Sequence, residues 1–358
     1  MDRPLRPVSP RAPGRDAPRS LVVDDPAFDR HAPVGHHPER PERLTAAREA
    51  VARQAAGGTR FERVASRPAT DDELVRAHDR RFVEALAKLR GETGYLDPDT
   101  YVSAQSIEVA RLAAGSLVAM VDAMIDGPVP KGVALLRPPG HHARPARAMG
   151  FCLLNNVAVA AAHARARGVE RIAIVDWDVH HGNGTQEIFW TDPHVLYVST
   201  HQSPFYPGTG EVDETGRGDG DGFTVNVPLA AGGGDAVYAS AFERVVLPVV
   251  ESFAPDLVLV SAGFDASARD PLAQMELSPN AFGWMARKLA HLAGLSAKGR
   301  MALVLEGGYD LVALEAGLSA AIEGMLSERA DDIEGAPDAD DGVARAAAQA
   351  GRVWKGVE

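Results

Sequence analysis

The chain has 358 residues, of which 45% are hydrophobic and 24% are charged, a composition typical of soluble globular proteins. Its net charge of −12 opposes contact with phosphate backbones, so we expect no direct nucleic-acid partner. The single cysteine, Cys152, excludes an internal disulfide, and no apolar run is long enough to cross a membrane or to form the core of a secretory signal. We therefore expect a cytoplasmic protein that does not bind membranes, in which Cys152 is a packing residue.

The predicted elements begin after an Arg- and Pro-rich segment, residues 1–19, which we expect to be disordered. The predicted strands are 20–24, 61–65, 131–137, 171–177, 194–200, 223–229, 256–262 and 301–306. Four helices are predicted. The first begins at a capping box formed by Thr70 and Glu73 and ends near residue 90, and the second covers 102–125. The third begins after Ser278, its predicted cap, and ends near 297, and the fourth covers 311–326.

This alternation of strands and helices predicts an α/β fold, with a mostly parallel sheet between helices on both faces. We expect one domain over residues 20–327. The segment after it, 328–358, is expected to be a solvated, partly mobile tail. It contains an acidic cluster formed by Asp331, Asp332, Glu334, Asp338, Asp340 and Asp341.

The strand 171–177 leads into the most informative segment of the chain, which reads Asp-Trp-Asp-Val-His-His from residue 176 to residue 181. Because side chains alternate along an extended strand, Asp176, Asp178 and His180 point the same way. An isolated Asp-x-Asp is usually a surface turn. A buried strand that runs into two carboxylates and an imidazole instead favours a divalent-metal site.

Three other predicted strands are followed by loops with polar or glycine-rich sequences. These loops contain Arg137-Pro-Pro-Gly-His-His142, Gly263-Phe-Asp265 and Glu306-Gly-Gly-Tyr309, and Ser199-Thr-His201 ends a fourth strand. Since the carboxyl ends of parallel strands share one edge of the sheet, residues distant in sequence should converge there.

Asp178, His180 and Asp265 would supply three metal ligands and leave an open coordination position, as in catalytic sites. Zinc is the expected ion, although an oxygen-rich set also suits Fe²⁺ or Co²⁺. Two carboxylates cancel the charge of the ion, so its bound water is less acidic and a separate base is needed to take the proton. His141 or His142 could act as that base. The alternative for the histidine pair is a capped turn. Tyr309 could donate to an oxyanion or simply pack.

With these residues assembled, the sequence resembles the zinc-dependent histone deacetylase and acetylpolyamine amidohydrolase family, and most of all its class II-like bacterial members. The resemblance runs from about residue 20 to 326. Its motifs are His36-His-Pro-Glu-Arg-Pro-Glu-Arg-Leu44, Arg137-Pro-Pro-Gly-His-His-Ala143, Gly150-Phe-Cys-Leu-Leu-Asn-Asn156, Asp176-Trp-Asp-Val-His-His-Gly-Asn-Gly184, Pro207-Gly-Thr-Gly210, Gly263-Phe-Asp265, Asp270-Pro271 and Glu306-Gly-Gly-Tyr309.

The resemblance implies the arginase/deacetylase fold, an eight-stranded parallel sheet in a three-layer arrangement. It implies one zinc ion at Asp178, His180 and Asp265, with His142 moving the proton of the attacking water and Tyr309 stabilising the oxyanion. His141 would be held by Asp176. His142 would be held by Asn183, a position where some members of the family carry Asp. Because a neutral amide raises the basicity of His142 less than a carboxylate does, His142 is expected to be a weaker base here than in those members.

The resemblance also implies structural potassium. The ligands of one K⁺ ion would come from Asp176, Asp178, His180, Ser199 and the Thr200 carbonyl. A second K⁺ ion would be held by carbonyls near Phe189, Asp192, Val195 and Phe223, of which Asp192 and Phe223 depart from some relatives.

By the same resemblance, Phe151 and Tyr206 would form the walls of a narrow tube for an aliphatic chain. Gly150, Leu272, Asp97 and Gly307 would also line the substrate path, and Arg43 would lie at the cavity where acetate leaves. Selectivity for polyamines requires a carboxylate near the mouth. Leu272 stands where one polyamine-selective branch has Glu, while Asp97 and Asp99 could serve instead.

We therefore expect an enzyme that removes acyl groups from lysine in proteins or peptides, with acetylpolyamines as the alternative substrates. A ureohydrolase is the rival enzyme, but Ser267 stands where its second metal would need a carboxylate. A catalytically silent acyl-lysine-binding module is the remaining alternative. A homo-oligomer is left open.

Overall fold

The computed structural model describes residues 18–327, 332–335 and 340–357. Ten strands occur there: β1 (Arg19–Val23), β2 (Arg60–Arg63), β3 (Gly94–Tyr95), β4 (Tyr101–Val102), β5 (Lys131–Ala134), β6 (Ile172–Asp176), β7 (Val195–Gln202), β8 (Thr224–Leu229), β9 (Leu257–Ala262) and β10 (Met301–Leu305). Eight of them form one sheet in the order β2-β1-β5-β10-β9-β6-β7-β8, and β3 pairs with β4 in a separate antiparallel hairpin.

Every pairing in the large sheet is parallel. The central strands β6, β9 and β10 are buried along their whole length. Short apolar runs of this kind are what a parallel sheet covered on both faces requires. The predicted α/β class and the eight-stranded sheet are confirmed, with each strand found within three residues of its predicted bounds.

The helices are α1 (Glu42–Ala56), α2 (Asp71–Leu74), α3 (Arg80–Ala87), α4 (Ser106–Asp126), α5 (Asn156–Ala166), α6 (Asn183–Ile188), α7 (Asp235–Ala241), α8 (Leu247–Phe253), α9 (Pro279–Ser296), α10 (Leu311–Leu326) and α11 (Asp341–Ala350), with a π-helical turn at Phe242–Val246 that joins α7 to α8. They fall into two packing groups, because α10 contacts α1 and α9 while α4 contacts α5. The sheet lies between these groups. None of the helices in the described ranges is both long and apolar enough to cross a bilayer.

The helix predicted from Thr70 to about residue 90 is wrong as a single element. The capping box at Thr70 and Glu73 is present, but α2 ends at Leu74 and α3 begins only at Arg80. The connection is held by tertiary contacts, since the Asp79 N–H donates to the Pro145 carbonyl at 2.8 Å. Ser278 does precede α9, yet its hydroxyl donates to Asp235 and makes no capping bond.

The ends of the chain also differ from expectation. Residues 1–17 of the predicted disordered segment, with Asp331 and Asp338 of the acidic tail, lie outside the described residues. Arg19, which we placed in the disordered segment, already belongs to β1. The prediction of a solvated tail is wrong for 340–357, because α11 packs on β8 and the Trp354 indole donates to the Gly222 carbonyl at 2.9 Å. Buried Val343, Ala346, Ala347 and Ala350 recur at helical spacing behind the acidic residues, and this pattern explains the packing.

Candidate active site

The three predicted metal ligands come together at the carboxyl edge of the sheet. Asp178 and His180 follow β6, and Asp265 follows β9, the neighbouring strand. Their ligand atoms all lie within 4.8 Å of one another, and His180 Nδ1 is 3.2 Å from both Asp178 Oδ1 and Asp265 Oδ2. This is the only such cluster found in the part of the chain that the structure describes.

Backbone groups fix the two carboxylates of this cluster. The Gly307 N–H donates to Asp178 Oδ2 at 2.8 Å, and the Val179 N–H donates to Asp265 Oδ1 at 3.0 Å. A Cβ on Gly307 would lie 2.1 Å from Asp265 Oδ2, and a Cβ on Gly263 would lie 2.1 Å from Asp178 Oδ2. Glycine is therefore required at both positions so that the backbone can close around the carboxylates.

The electrostatics of the cluster suit a cation. Burial disfavours a charged imidazole, yet the carboxylates of Asp178 and Asp265 raise the pKa of His180 to about 10. Burial and the adjacent Asp178 carboxylate raise the pKa of Asp265. The two buried carboxylates thus call for a positive charge, which a proton on His180 supplies in part and which a divalent ion bound by one nitrogen and two oxygens would supply in full. The donor set therefore fits zinc.

His141 lies beside this cluster and is held as the resemblance implied. Its Nδ1 is 3.1 Å from Asp176 Oδ2, which also accepts a hydrogen bond from the Tyr197 hydroxyl at 3.0 Å. Burial opposes protonation, but the carboxylates of Asp178 and Asp176 raise the pKa of His141 to about 10. His141 can therefore hold a positive charge next to the reaction site.

His142 has the opposite surroundings. Its Nδ1 is 2.9 Å from the Asn183 carboxamide oxygen, so the ring donates there and Nε2 is left as the proton acceptor. Burial lowers the pKa of His142 well below the usual value, and the neighbouring rings of His141 and His180 lower it further. Gly150, at φ +57°, packs against this ring, where a Cβ would lie 2.5 Å from Cδ2. The structure thus presents a neutral imidazole, as a general base requires.

Tyr309 follows β10 and lies close to the cluster. Its backbone N–H donates to Asp270 Oδ2 at 2.6 Å, and its ring contacts Phe151 edge-on with a centroid distance of 5.8 Å. The Arg43 guanidinium lies 5.0 Å from the ring centroid. Burial raises the pKa of Tyr309 well above its usual value, as do the carboxylates of Asp265 and Asp178, so its hydroxyl stays protonated and can donate.

Aromatic rings surround His142 and His180. Tyr206 meets the His142 ring edge-on at 5.2 Å, and Phe205, which the sequence analysis passed over, stacks on His180 at 5.3 Å. Phe151 adopts φ +67° and packs edge-on against His37 at 4.8 Å. Phe151, Phe205 and Tyr206 thus form an apolar rim beside His142, His180 and Tyr309, which we call the entrance and which suits an aliphatic chain.

The hairpin β3–β4 carries Asp97 and Asp99 toward these rings. The Phe151 N–H donates to the Thr100 hydroxyl at 3.2 Å, and Asp97 accepts from the Thr100 N–H at 2.7 Å. Burial raises the pKa of the Tyr206 hydroxyl, and both carboxylates raise it further. Leu272, by contrast, follows Asp270 and is half-buried, donating its N–H to that carboxylate at 3.0 Å.

The predicted potassium ligands occupy two places on the sheet. Asp176 on β6 is the register partner of Ser199 on β7, and the buried Thr200 hydroxyl next to it has no hydrogen-bond partner among the described residues. Phe189 and Asp192 lie between α6 and β7, and the Phe223 carbonyl accepts from the Tyr197 N–H, so both groups border the amino end of β7. Val195 begins that strand.

Three further residues hold loops of the site, which their motifs did not predict, although Arg43 was expected at the cavity where acetate leaves. Glu306 accepts from the N–H groups of Gly140 and His141 at 2.6 and 3.2 Å, which holds the loop of the two histidines. Asp270 holds Tyr309. Arg43 donates to the carbonyls of Glu306 and Gly308 and so fixes the turn before Tyr309. Only the fold brings these partners together.

Comparison with known proteins assigns the family. The histone deacetylase domain family matches residues 37–325. Histone deacetylase 15 of Arabidopsis thaliana is 45% identical over 297 residues, which are 82% of this chain and 53% of that protein. Polyamine deacetylase HDAC10 of Homo sapiens is 44% identical over 312 residues, which are 83% of this chain and 46% of that protein. The chain therefore spans about half the length of these two relatives.

The fold agrees with a solved member. The crystal structure of the HDA15 HD domain matches with a TM-score of 0.85 and 39% identity, over 94% of this chain and 95% of that one. The family match covers most of the chain and includes the converged aspartates, histidines and tyrosine described above. This chain belongs to the histone deacetylase family.

Proposed function

We propose that the chain is a zinc-dependent amidohydrolase that removes acetyl or other acyl groups from lysine side chains of proteins or peptides. The observation that carries this proposal is the placement of three groups beneath the aromatic entrance: the ligand cluster of Asp178, His180 and Asp265, the neutral His142 ring on Asn183, and Tyr309.

A zinc ion held by this cluster would act as a Lewis acid toward the amide carbonyl and lower the pKa of a coordinated water. The chain's own groups divide the remaining work. His142 accepts the proton of the attacking water at Nε2 and later delivers it to the leaving amine. The Tyr309 hydroxyl donates a hydrogen bond to the amide oxygen as negative charge develops on it.

The aromatic rings at the entrance support an aliphatic substrate chain. The rings of Phe151, Phe205 and Tyr206 are apolar surfaces next to His142, His180 and Tyr309, and the methylene chain of an acyl-lysine would lie against them with its amide at the metal cluster. Acetylpolyamines share such a chain. The carboxylates of Asp97 and Asp99 at the mouth, with the similarity to a polyamine deacetylase, make them the second candidate substrates.

The test is a side-by-side measurement of kcat/KM for acetyl-lysine peptides, longer acyl-lysine peptides and acetylated polyamines, on protein whose metal content is known. We expect about one zinc per chain, loss of turnover on chelation and its return on adding zinc, and highest turnover with acyl-lysine peptides. Two manganese ions per chain, or zinc-loaded protein that hydrolyses none of these amides, would contradict the proposal. Higher turnover of acetylpolyamines would select the second candidate.

A further inference from the structure

A groove with a volume of about 530 Å³ lies beside the site, and of its lining residues only Asn183 has a role in the chemistry above. Its lining includes Met149, Asn183, Glu187, Trp190 and Pro207, and we call it the lateral groove. It adjoins the site, because the Asn183 side chain that lines it donates to Met149 Sδ at 3.4 Å and lies 2.9 Å from His142 Nδ1. A peptide whose acyl-lysine fills the entrance would have its neighbouring residues at this groove.

Arg147 lines the lateral groove on a short hairpin that the rest of the fold holds in place. Arg144 and Arg147 exchange backbone hydrogen bonds across the hairpin. The His78 ring donates to the Arg144 carbonyl at 3.0 Å, and the Asp79 N–H donates to the Pro145 carbonyl at 2.8 Å. Because the backbone is anchored at two points, the Arg147 side chain starts from a fixed position at the mouth of the groove.

Among the described residues, Arg147 is the arginine of this groove that no carboxylate pairs, while the Glu214 carboxylate is held by neutral hydrogen-bond donors. Arg144 forms an ion pair with Glu187. Glu214 accepts hydrogen bonds from Gln186 and from the backbone of Gly210 and Glu211. Arg147 is exposed, and among residues 18–327, 332–335 and 340–357 no carboxylate lies within ion-pair distance of its guanidinium.

Arg147 also acts at the entrance itself. Burial raises the pKa of Tyr206, as do the Asp99 and Asp97 carboxylates, and the nearby Arg147 charge opposes this rise. The mouth is therefore polarised, with carboxylates on the β3–β4 hairpin and a free guanidinium on the 144–147 hairpin.

We propose that the lateral groove binds the residue next to the acyl-lysine and that Arg147 selects an acidic side chain there. The guanidinium offers paired N–H donors to a carboxylate, and the apolar surfaces of Met149, Trp190 and Pro207 accommodate the methylene groups. The same charge repels the distal ammonium of an acetylpolyamine. This inference rests on the proposed function and adds to it a preference for substrates with an acidic residue next to the acyl-lysine.

The experiment uses acetyl-lysine peptides that differ only in Glu or Gln directly before or directly after the acetyl-lysine. With zinc-loaded wild-type protein at low ionic strength, we expect kcat/KM about two- to fivefold higher for the Glu peptide at one of these positions, as for one solvent-exposed ion pair. The ratio should approach one in about 0.5 M salt because screening removes the attraction.

Arg147→Gln should bring the ratio close to one, and Arg147→Glu should bring it below one. The control is Arg352→Glu, which makes the same charge change beside Gly222, before the amino end of β8 and thus on the edge of the sheet opposite the site. It should keep the wild-type ratio. Thermal unfolding of each variant shows that it is folded.

Two outcomes overturn the inference alone: a wild-type ratio of one at both positions, or the same preference for Glu in the Arg147→Glu variant. If zinc-loaded wild-type protein hydrolyses none of these peptides, the proposed function fails, and the inference fails with it. The two failures are therefore distinguished by the turnover of the Gln peptides.

Discussion

His141 and His142 are adjacent in sequence, but their pKa values move in opposite directions. Both rings are buried. Burial opposes a charge on either ring, but the carboxylates of Asp178 and Asp176 raise the pKa of His141 to about 10. Burial lowers the pKa of His142, and the imidazoles of His141 and His180 lower it further. At the scale of single residues, the neighbours of each ring thus decide which histidine holds a charge and which can accept a proton.

Tyr309→Phe tests the oxyanion donor. Removing the hydroxyl should lower kcat by roughly 10²–10³-fold, because the amide oxygen loses a hydrogen bond in the transition state. Zinc content and unfolding temperature should be preserved, since Phe keeps the ring contacts and the bond from its backbone N–H to Asp270. The control is Tyr238→Phe, whose buried hydroxyl has no partner among the described residues. Equal activity of the two variants would remove Tyr309 from the mechanism.

Asn183→Asp tests how the base is tuned. A carboxylate at this position would stabilise the His142 imidazolium, so the pKa of His142 should rise from its lowered value. Because the base must be unprotonated, the acid limb of kcat/KM against pH should then move to higher pH, by about one unit. Activity would be lost at the lower pH values first. A pH profile identical to wild type, in a variant that still binds zinc, would show that Asn183 does not set the proton affinity.

At the scale of elements, the site depends on how closely three loops approach one another. The loops after β6, β9 and β10 each contribute groups to the metal cluster, and the first and last meet where the Gly307 N–H bonds Asp178. These three strands are neighbours in the sheet. Parallel packing brings their carboxyl ends together, and glycine then sets how near the backbone comes.

Gly307→Ala tests this approach. The added Cβ would lie 2.1 Å from Asp265 Oδ2 and 2.6 Å from Asp178 Oδ2, so both carboxylates must move. We expect zinc affinity to fall by about 10–100-fold, measured by competition with a chelator. Gly294→Ala is the matched control in α9, because its Cβ would have no neighbour within 4 Å. That variant should bind zinc like wild type. Equal affinities in both variants would contradict the proposed crowding.

At the scale of the whole molecule, buried charges tie distant segments together beneath the site. Glu39 accepts from Arg137 at 2.8 Å and from Arg43 at 3.3 Å, and all three side chains are fully buried. Arg137 also donates to the carbonyls of Phe28 and His31. Segments near residues 28–43, 137 and 306–308 are thereby joined through one cluster.

Arg137→Met should lower the free energy of unfolding by about 3 kcal/mol or more, because Glu39 would lose most of the charge that compensates its burial. Denaturant unfolding of the two single variants and of Arg137→Met with Glu39→Gln measures the coupling, and the double variant should cost less than the sum. Burial opposes ionisation of Glu39, but Arg137 lowers its pKa below the ordinary 4.5. This stabilisation is therefore complete above about pH 4.5 and is lost as the pH falls further. Strictly additive costs would show that the pair is not coupled.

Local patterns in the sequence determined the strands, the α/β class and the position of the ligands and of His142 and Tyr309 at strand ends. Those features depend on side-chain periodicity and on the shared edge of a parallel sheet, and both can be read from neighbouring residues. The motifs shared with a known family added the separate roles of the two histidines.

Only the tertiary structure decided the features that depend on contacts between distant residues. The break between α2 and α3 follows from the bond between Asp79 and Pro145, and the packing of α11 involves Trp354 and Gly222. Glu306 and Asp270 belong to recognised motifs, yet each accepts a hydrogen bond from a loop more than 30 residues away in the sequence. The free charge of Arg147 is visible only once its neighbours in space are known, because the sequence states which charges exist but not which of them are paired.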